Sequence, residues 1–77
     1  MANKKIYKIW AIISEDEIGD QHILGFSIDG QNYPLVTSVE KSLDQMSELA
    51  YQIARISNNK FTLVEFDRGE DLKIIKS

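Results

Sequence analysis

The stretch 37-TSVEKSLDQMSELAYQIARIS-57 decides how the rest of the chain is read. Val39, Leu43, Met46, Ala50 and Ile53 recur at spacings of three and four, and Leu49, Ala54 and Ile56 widen the apolar stripe. That period puts them on one face of an α-helix, which needs a second layer to bury it. Thr37-Ser38-Val39-Glu40 fits a capping box, with the Thr37 hydroxyl accepting from the first turn and Glu40 reaching back. Asn58-Asn59 suits the far end, since asparagine tolerates the left-handed conformation that closes helices. The spacing predicts one amphipathic helix, ending near Ser57.

On either side of this helix the period changes from about 3.6 to 2. Ile6 to Ile13 alternates as a strand, with Tyr7, Ile9, Ala11 and Ile13 on one face and Ile6, Lys8, Trp10 and Ile12 on the other. His22 to Ile28 alternates again and runs into Asp29-Gly30, a strong signal for a two-residue hairpin whose central residues both need positive φ. Gln31 to Tyr33 returns as a short third strand. Pro34 cannot donate to a ladder, so that strand belongs at an edge. Phe61 to Phe66 reads as a strand after the helix, and 67-DRGE-70 can turn into a last strand over Leu72 to Ile75. The expected fold is α+β in the order β-β-β-α-β-β: a small, mostly antiparallel sheet of four to five strands with one amphipathic helix on one face.

Seventy-seven residues form one domain, 1–77. The chain has 43% hydrophobic and 27% charged residues, too apolar for a disordered segment. It has no cysteine, so neither disulfides nor thiolate metal sites supplement a small core, and a cytoplasmic location fits. The N-terminal 1-MANKKIYKIWAII-13 is broken by Lys8 and followed by acidic residues rather than a cleavage site, so it is not read as a secretory signal. No run approaches the ~20 apolar residues of a membrane span.

A helix is ~10–12 Å across, whereas four or five strands at ~4.8 Å make a sheet ~19–24 Å wide. Both faces of the first strand carry large apolar groups. A homodimer packed through the sheet at Lys8, Trp10 and Ile12 is the expected way to cover what the helix leaves bare.

The stretch 14-SEDEIGDQH-22 gathers four carboxylates and the single histidine, and is the natural place to look for chemistry. A calcium loop starting at Asp16 would need an oxygen ligand at the third position and glutamate at the twelfth; Ile18 and Ser27 stand there instead. One histidine is too few for a typical transition-metal site. A hydrolase built on Asp16, Asp20 and His22 is therefore weighed and set aside, in favour of a hydrated loop whose charges discourage edge pairing. The triplet 71-DLK-73 resembles the acidic-x-Lys element of metal-dependent nucleases, but lacks a second acidic ligand from another element. Ser27 lies outside any nucleophile elbow, and Gly19, Gly25, Gly30 and Gly69 are too scattered to cradle phosphate. No catalytic residue, metal ligand or cofactor is assigned, and no enzymatic activity is expected.

Two surface features remain. Glu40, Asp44 and Glu48 form an acidic ridge at i, i+4 and i+8, suited to docking on a basic protein partner. Lys4, Lys5 and Lys8, with Lys73 and Lys76, would share a rim if the terminal strands are neighbours. That rim, with Tyr7 and Trp10 nearby, is the alternative: a module for single-stranded nucleic acid. The formal net charge of −3 weighs against it, because phosphate binding usually draws on a basic excess. The expectation is an interaction or regulatory protein acting as a homodimer with a protein partner, without membrane association.

Overall fold

The computed structural model describes residues 4–76. Its hub is β1 (Lys8–Glu15), a run rich in isoleucine that suits a strand with apolar surroundings on both faces. Along one side, β6 (Lys60–Asp67) pairs antiparallel over the full length, from Lys8 opposite Asp67 to Glu15 opposite Lys60. Along the other side two short strands lie end to end. They are β2 (Gln21–Ile23), opposite Ile13 to Glu15, and β5 (Val36–Thr37), opposite Trp10 and Ala11. The fold is a small α+β arrangement, as the sequence predicts.

The sheet is thus at most three strands wide at any level, about 14 Å. That is narrower than the width expected from counting strands, and one helix comes close to spanning it.

Between β2 and β5 the chain leaves the sheet as a separate hairpin, β3 (Gly25–Ile28) and β4 (Gln31–Pro34). The alternation from His22 to Ile28 predicts one strand; the structure breaks it at Leu24. The cause is a ring of three backbone hydrogen bonds. Leu24 N–H donates to Ile12 C=O (2.8 Å), Leu35 N–H to Leu24 C=O (2.7 Å), and Ile12 N–H to Leu35 C=O (3.1 Å). All three residues are buried, so these groups need protein partners. At the hairpin tip Asp29 (φ 52°) and Gly30 (φ 81°) both adopt positive φ, which is the conformation the Asp-Gly signal predicts. Pro34 ends β4, which among the described residues pairs with β3 alone.

The helix begins later and stops earlier than its periodicity predicts. Thr37 is taken into β5, and its hydroxyl accepts from Val39 N–H (3.0 Å) two residues on instead of capping a first helical turn. A 3₁₀ turn over Glu40–Ser42 carries the chain off the sheet, and α1 runs from Leu43 to Ala54. No side chain caps either start. At the far end Ile56 N–H bonds to Ile53 C=O and Ser57 N–H to Ala54 C=O, tightening the last turn. Neither Asn58 nor Asn59 adopts positive φ, so the left-handed closure is absent. Asn59 instead donates its side-chain amide to the buried Ser14 hydroxyl (3.4 Å).

The last expected strand does not form. The ladder between β1 and β6 ends one bond beyond the strands, where Arg68 N–H donates to Tyr7 C=O (2.6 Å). Residues 69–76 then run free of the sheet. The β-favouring side chains of Leu72 to Ile75 are not enough without a partner edge.

The core is small. Ile12, Leu24 and Leu35 from the sheet side meet Met46 and Ala50 from α1, with Trp10, Phe26, Leu43, Leu49, Ile53 and Phe61 half-buried around them. Fully burying a side chain of the Ile, Leu or Met size contributes ~1.5–3 kcal/mol. Few such residues are available here.

Candidate functional site

Directly opposed residues of paired strands share a face, so the register sorts the sheet into two surfaces. One carries Trp10, Ile12 and Ser14 of β1 with Phe61, Leu63 and Glu65 of β6. Helix α1 packs here, and Ile12 is only 2% exposed. The Trp10 ring packs against the same core while its indole N–H donates to Glu65 (3.1 Å). The dimer contact expected at Lys8, Trp10 and Ile12 thus falls on the face against which α1 packs. Ile12 is covered by this chain's own helix. Lys8 is held between Glu65 (3.0 Å) and Asp67 (3.2 Å), its ammonium raised above the ordinary lysine value by the Glu65 hydrogen bond first and the Asp67 bond second.

The other surface carries Ile9, Ala11 and Ile13 of β1, Thr62, Val64 and Phe66 of β6, Ile23 of β2 and Val36 of β5. No helix among the described residues lies over it. Ile9 is 38% and Phe66 43% exposed, and Ile23 and Val36 are exposed as well. Ala11, at its centre, is buried. This face therefore leaves several large apolar side chains in contact with water. The alternation puts the two sets on opposite faces, as the structure does, and α1 covers the face on which the sequence places a dimer contact. Both are apolar, and nothing in the alternation says which receives the helix.

The whole molecule carries the same imprint. Its accessible surface is 6889 Å², against about 4,800 Å² for a compact monomer of this mass. Its radius of gyration is 14.9 Å, against about 11.5 Å for 77 residues in a compact domain. Exposed apolar side chains on the hairpin (Ile28, Tyr33), the C-terminal segment (Leu72, Ile74, Ile75) and the open sheet face (Ile9, Phe66) contribute to that surplus surface.

Glu40, Asp44 and Glu48 are all exposed. Asp44 and Glu48 lie one turn apart on α1, whereas Glu40 sits in the 3₁₀ turn, so the ridge is regular only over its last two members. Lys4, Lys5 and Lys8 border a cleft of about 650 Å³ that Tyr7, Phe66 and Arg68 also line. Lys73 and Lys76 lie on the free C-terminal segment rather than on a strand beside β1, so the five-lysine rim has no fixed geometry.

The acidic loop folds around Asp16. Its carboxylate accepts from Ile18 N–H and Asp20 N–H, both at 3.0 Å, while its own N–H donates to Asp20 C=O (3.1 Å). Gly19, at φ 91°, completes the turn. Asp16 is thus a turn-former, and a short Asp followed by glycine three residues later was the signal for it. His22 is exposed on β2 opposite Ser14. Among the described residues no three His, Cys, Asp or Glu side chains converge to hold a metal ion. No described helix is long and apolar enough to cross a membrane. No family model matches the chain, and no curated protein or solved structure shows significant similarity to it.

Proposed function

We propose that this chain is a non-enzymatic interaction protein that works as a homodimer, with two open sheet faces packed together and the acidic helix side left for a protein partner. The observation that carries the reading is the helix-free face formed by Ile9, Ile13, Ile23, Val36, Val64 and Phe66. Sheets stack at ~10 Å through such faces, and an isologous pair uses one patch twice. A standard interface takes ~800 Å² from each partner, less than half of the surplus surface of about 2,100 Å². The acidic residues Asp44 and Glu48, with Glu40 beside them, then point away from the dimer contact and suit a basic surface.

Light scattering over a dilution series tests the dimer: the expected result is a twofold mass that Phe66→Lys shifts to the monomer without loss of folded structure. A mass of 8.8 kDa at every concentration overturns it. Capture of a partner by the wild type but not by the triple variant Glu40→Lys, Asp44→Lys, Glu48→Lys tests the acidic side; equal capture removes it.

The cleft beside Tyr7 and Phe66 favours a second reading, in which Lys4, Lys5 and Arg68 bind single-stranded nucleic acid by charge and stacking. Two carboxylates on Lys8 and one on Arg68 weaken it by occupying two of the four cations. A mobility shift with short DNA and RNA at low salt separates the two readings.

A further inference from the structure

The edge of β6 away from β1 has no partner among the described residues. The bond from Arg68 N–H to Tyr7 C=O fixes which residues face that edge. Even-numbered β6 residues bond inward to β1, so Phe61, Leu63, Glu65 and Asp67 turn their N–H and C=O groups outward. Beside them runs a groove of about 170 Å³, with Ser47, Tyr51 and Ala54 of α1 on one wall and Phe61 and Leu63 on the other. An unpaired edge with an adjoining side-chain groove is the geometry by which proteins accept an added strand. Backbone bonds then give affinity, and alternate side chains enter the groove.

We propose that this edge is a strand-acceptor site and that its occupant is the segment Leu72–Lys76 of a second copy of the chain. The inference rests on the homodimer reading and deepens it. Leu72, Ile74 and Ile75 are 90%, 80% and 85% exposed, the least covered cluster of large apolar side chains among the described residues. Their sequence favours strand, and no edge within reach is paired to them.

One antiparallel register satisfies both surfaces at once. With Lys73 opposite Glu65, Ile75 falls opposite Leu63 on the groove side. Leu72 and Ile74 then fall opposite Phe66 and Val64 and extend the open apolar face. The one adverse pair, Asp71 opposite Asp67, involves a carboxylate already paired with Lys8 (3.2 Å).

Return onto the chain's own edge would need a tight turn over residues 68–71. Gly69 does not take the positive φ that short hairpin turns use, and the Arg68–Asp71 ion pair holds a different course. The segment therefore leads away from its own β6. Residues 69–71 span about 10 Å when extended, the separation of two stacked sheets, so a partner's edge lies within reach.

The test combines a dilution series followed by scattering with residue-resolved amide hydrogen exchange on the full chain. Protection at Leu63 and Glu65 N–H is expected to rise with the dimer fraction, while Val64 N–H stays protected throughout. The double variant Ile74→Asp, Ile75→Asp alters only exposed side chains, so the monomer keeps its fold; its dimer dissociation constant should rise tenfold or more, with the Leu63 and Glu65 amides exposed. Edge protection that ignores dilution means the segment covers its own strand and overturns the proposal. A dimer whose edge amides exchange freely, or one unaffected by the double variant, also overturns it and leaves the face-to-face dimer standing. A full chain that is monomeric throughout removes the homodimer reading itself.

Discussion

Ile12 and Ile9 occupy the same strand three residues apart, and their fates differ because a strand sends alternate side chains to opposite faces. Ile12 is sealed beneath Met46 and Ala50, whereas Ile9 lies under no helix and remains partly in contact with water. Chemically the two faces of β1 are alike. What separates them is where the helix lands, and that is set by the path of the connections before it. β5 delivers the chain to the edge of β1, and the 3₁₀ turn lifts it over the Ile12 side. The lesson is that an apolar face identifies a surface that wants cover without saying what covers it.

The sharpest way to break this contrast is to shorten both isoleucines. Ile12→Ala should cost about 2–5 kcal/mol in chemical denaturation of the monomer, from lost burial and the cavity left behind. A domain of this length has about 4–12 kcal/mol in total, so that variant sits near the limit of folding. Ile9→Ala should cost under ~1 kcal/mol in the same measurement at low concentration, and should instead weaken the proposed dimer. Equal losses at the two positions would mean that the faces are not distinct in the monomer.

A smaller effect sharpens the comparison at the sheet's end. Asp16→Ala removes the acceptor for Ile18 N–H and Asp20 N–H at an exposed turn, and should cost ~0.5–1.5 kcal/mol with no change in metal response. A thermal melt with and without Mg²⁺, Mn²⁺, Ca²⁺ and Zn²⁺ reads both outcomes. A large metal-induced rise in the wild type that the variant loses would restore a ligand role to the loop.

The smallest effect lies at the rim of the covered face, where Lys8 meets Glu65 and Asp67. The folded state holds the Lys8 proton more tightly than the unfolded chain does. Its contribution is therefore complete below the ordinary lysine value of 10.5 and falls away as pH rises through the higher folded value. Lys8→Met should change the melting temperature little at neutral pH and in high salt, as exposed pairs do. What it should remove is part of the stability loss seen when pH is taken above 10.5.

Much of this was legible in the residues. The 3.6-residue period of Leu43 to Ile53 reports the helix, and the Asp29-Gly30 pair reports its turn, because both are local demands that neighbours in sequence satisfy. Where the outcome depends on distant groups, local reading fails. The alternation through Leu24 is unbroken, yet the strand is split by bonds to Ile12 and Leu35. Thr37 has the right spacing to cap a helix, but pairing with Trp10 claims it first. The Ile12 face invites a dimer contact for the same reason: parity sorts side chains into two sets but carries no information on which set the helix will cover.

The closed triangle of amides at Ile12, Leu24 and Leu35 sets a rule for how the chain tolerates change. Each member supplies a donor and an acceptor to the other two, so none can slide without stranding a polar group away from water. Beyond that root, the loop at Asp29–Gly30 carries no such duty and lies in solvent. Lengthened tips, grafted epitopes or fluorescent labels should be accommodated there, while a single residue inserted beside Leu24 or Leu35 would unzip the branch point and the middle of β1 with it.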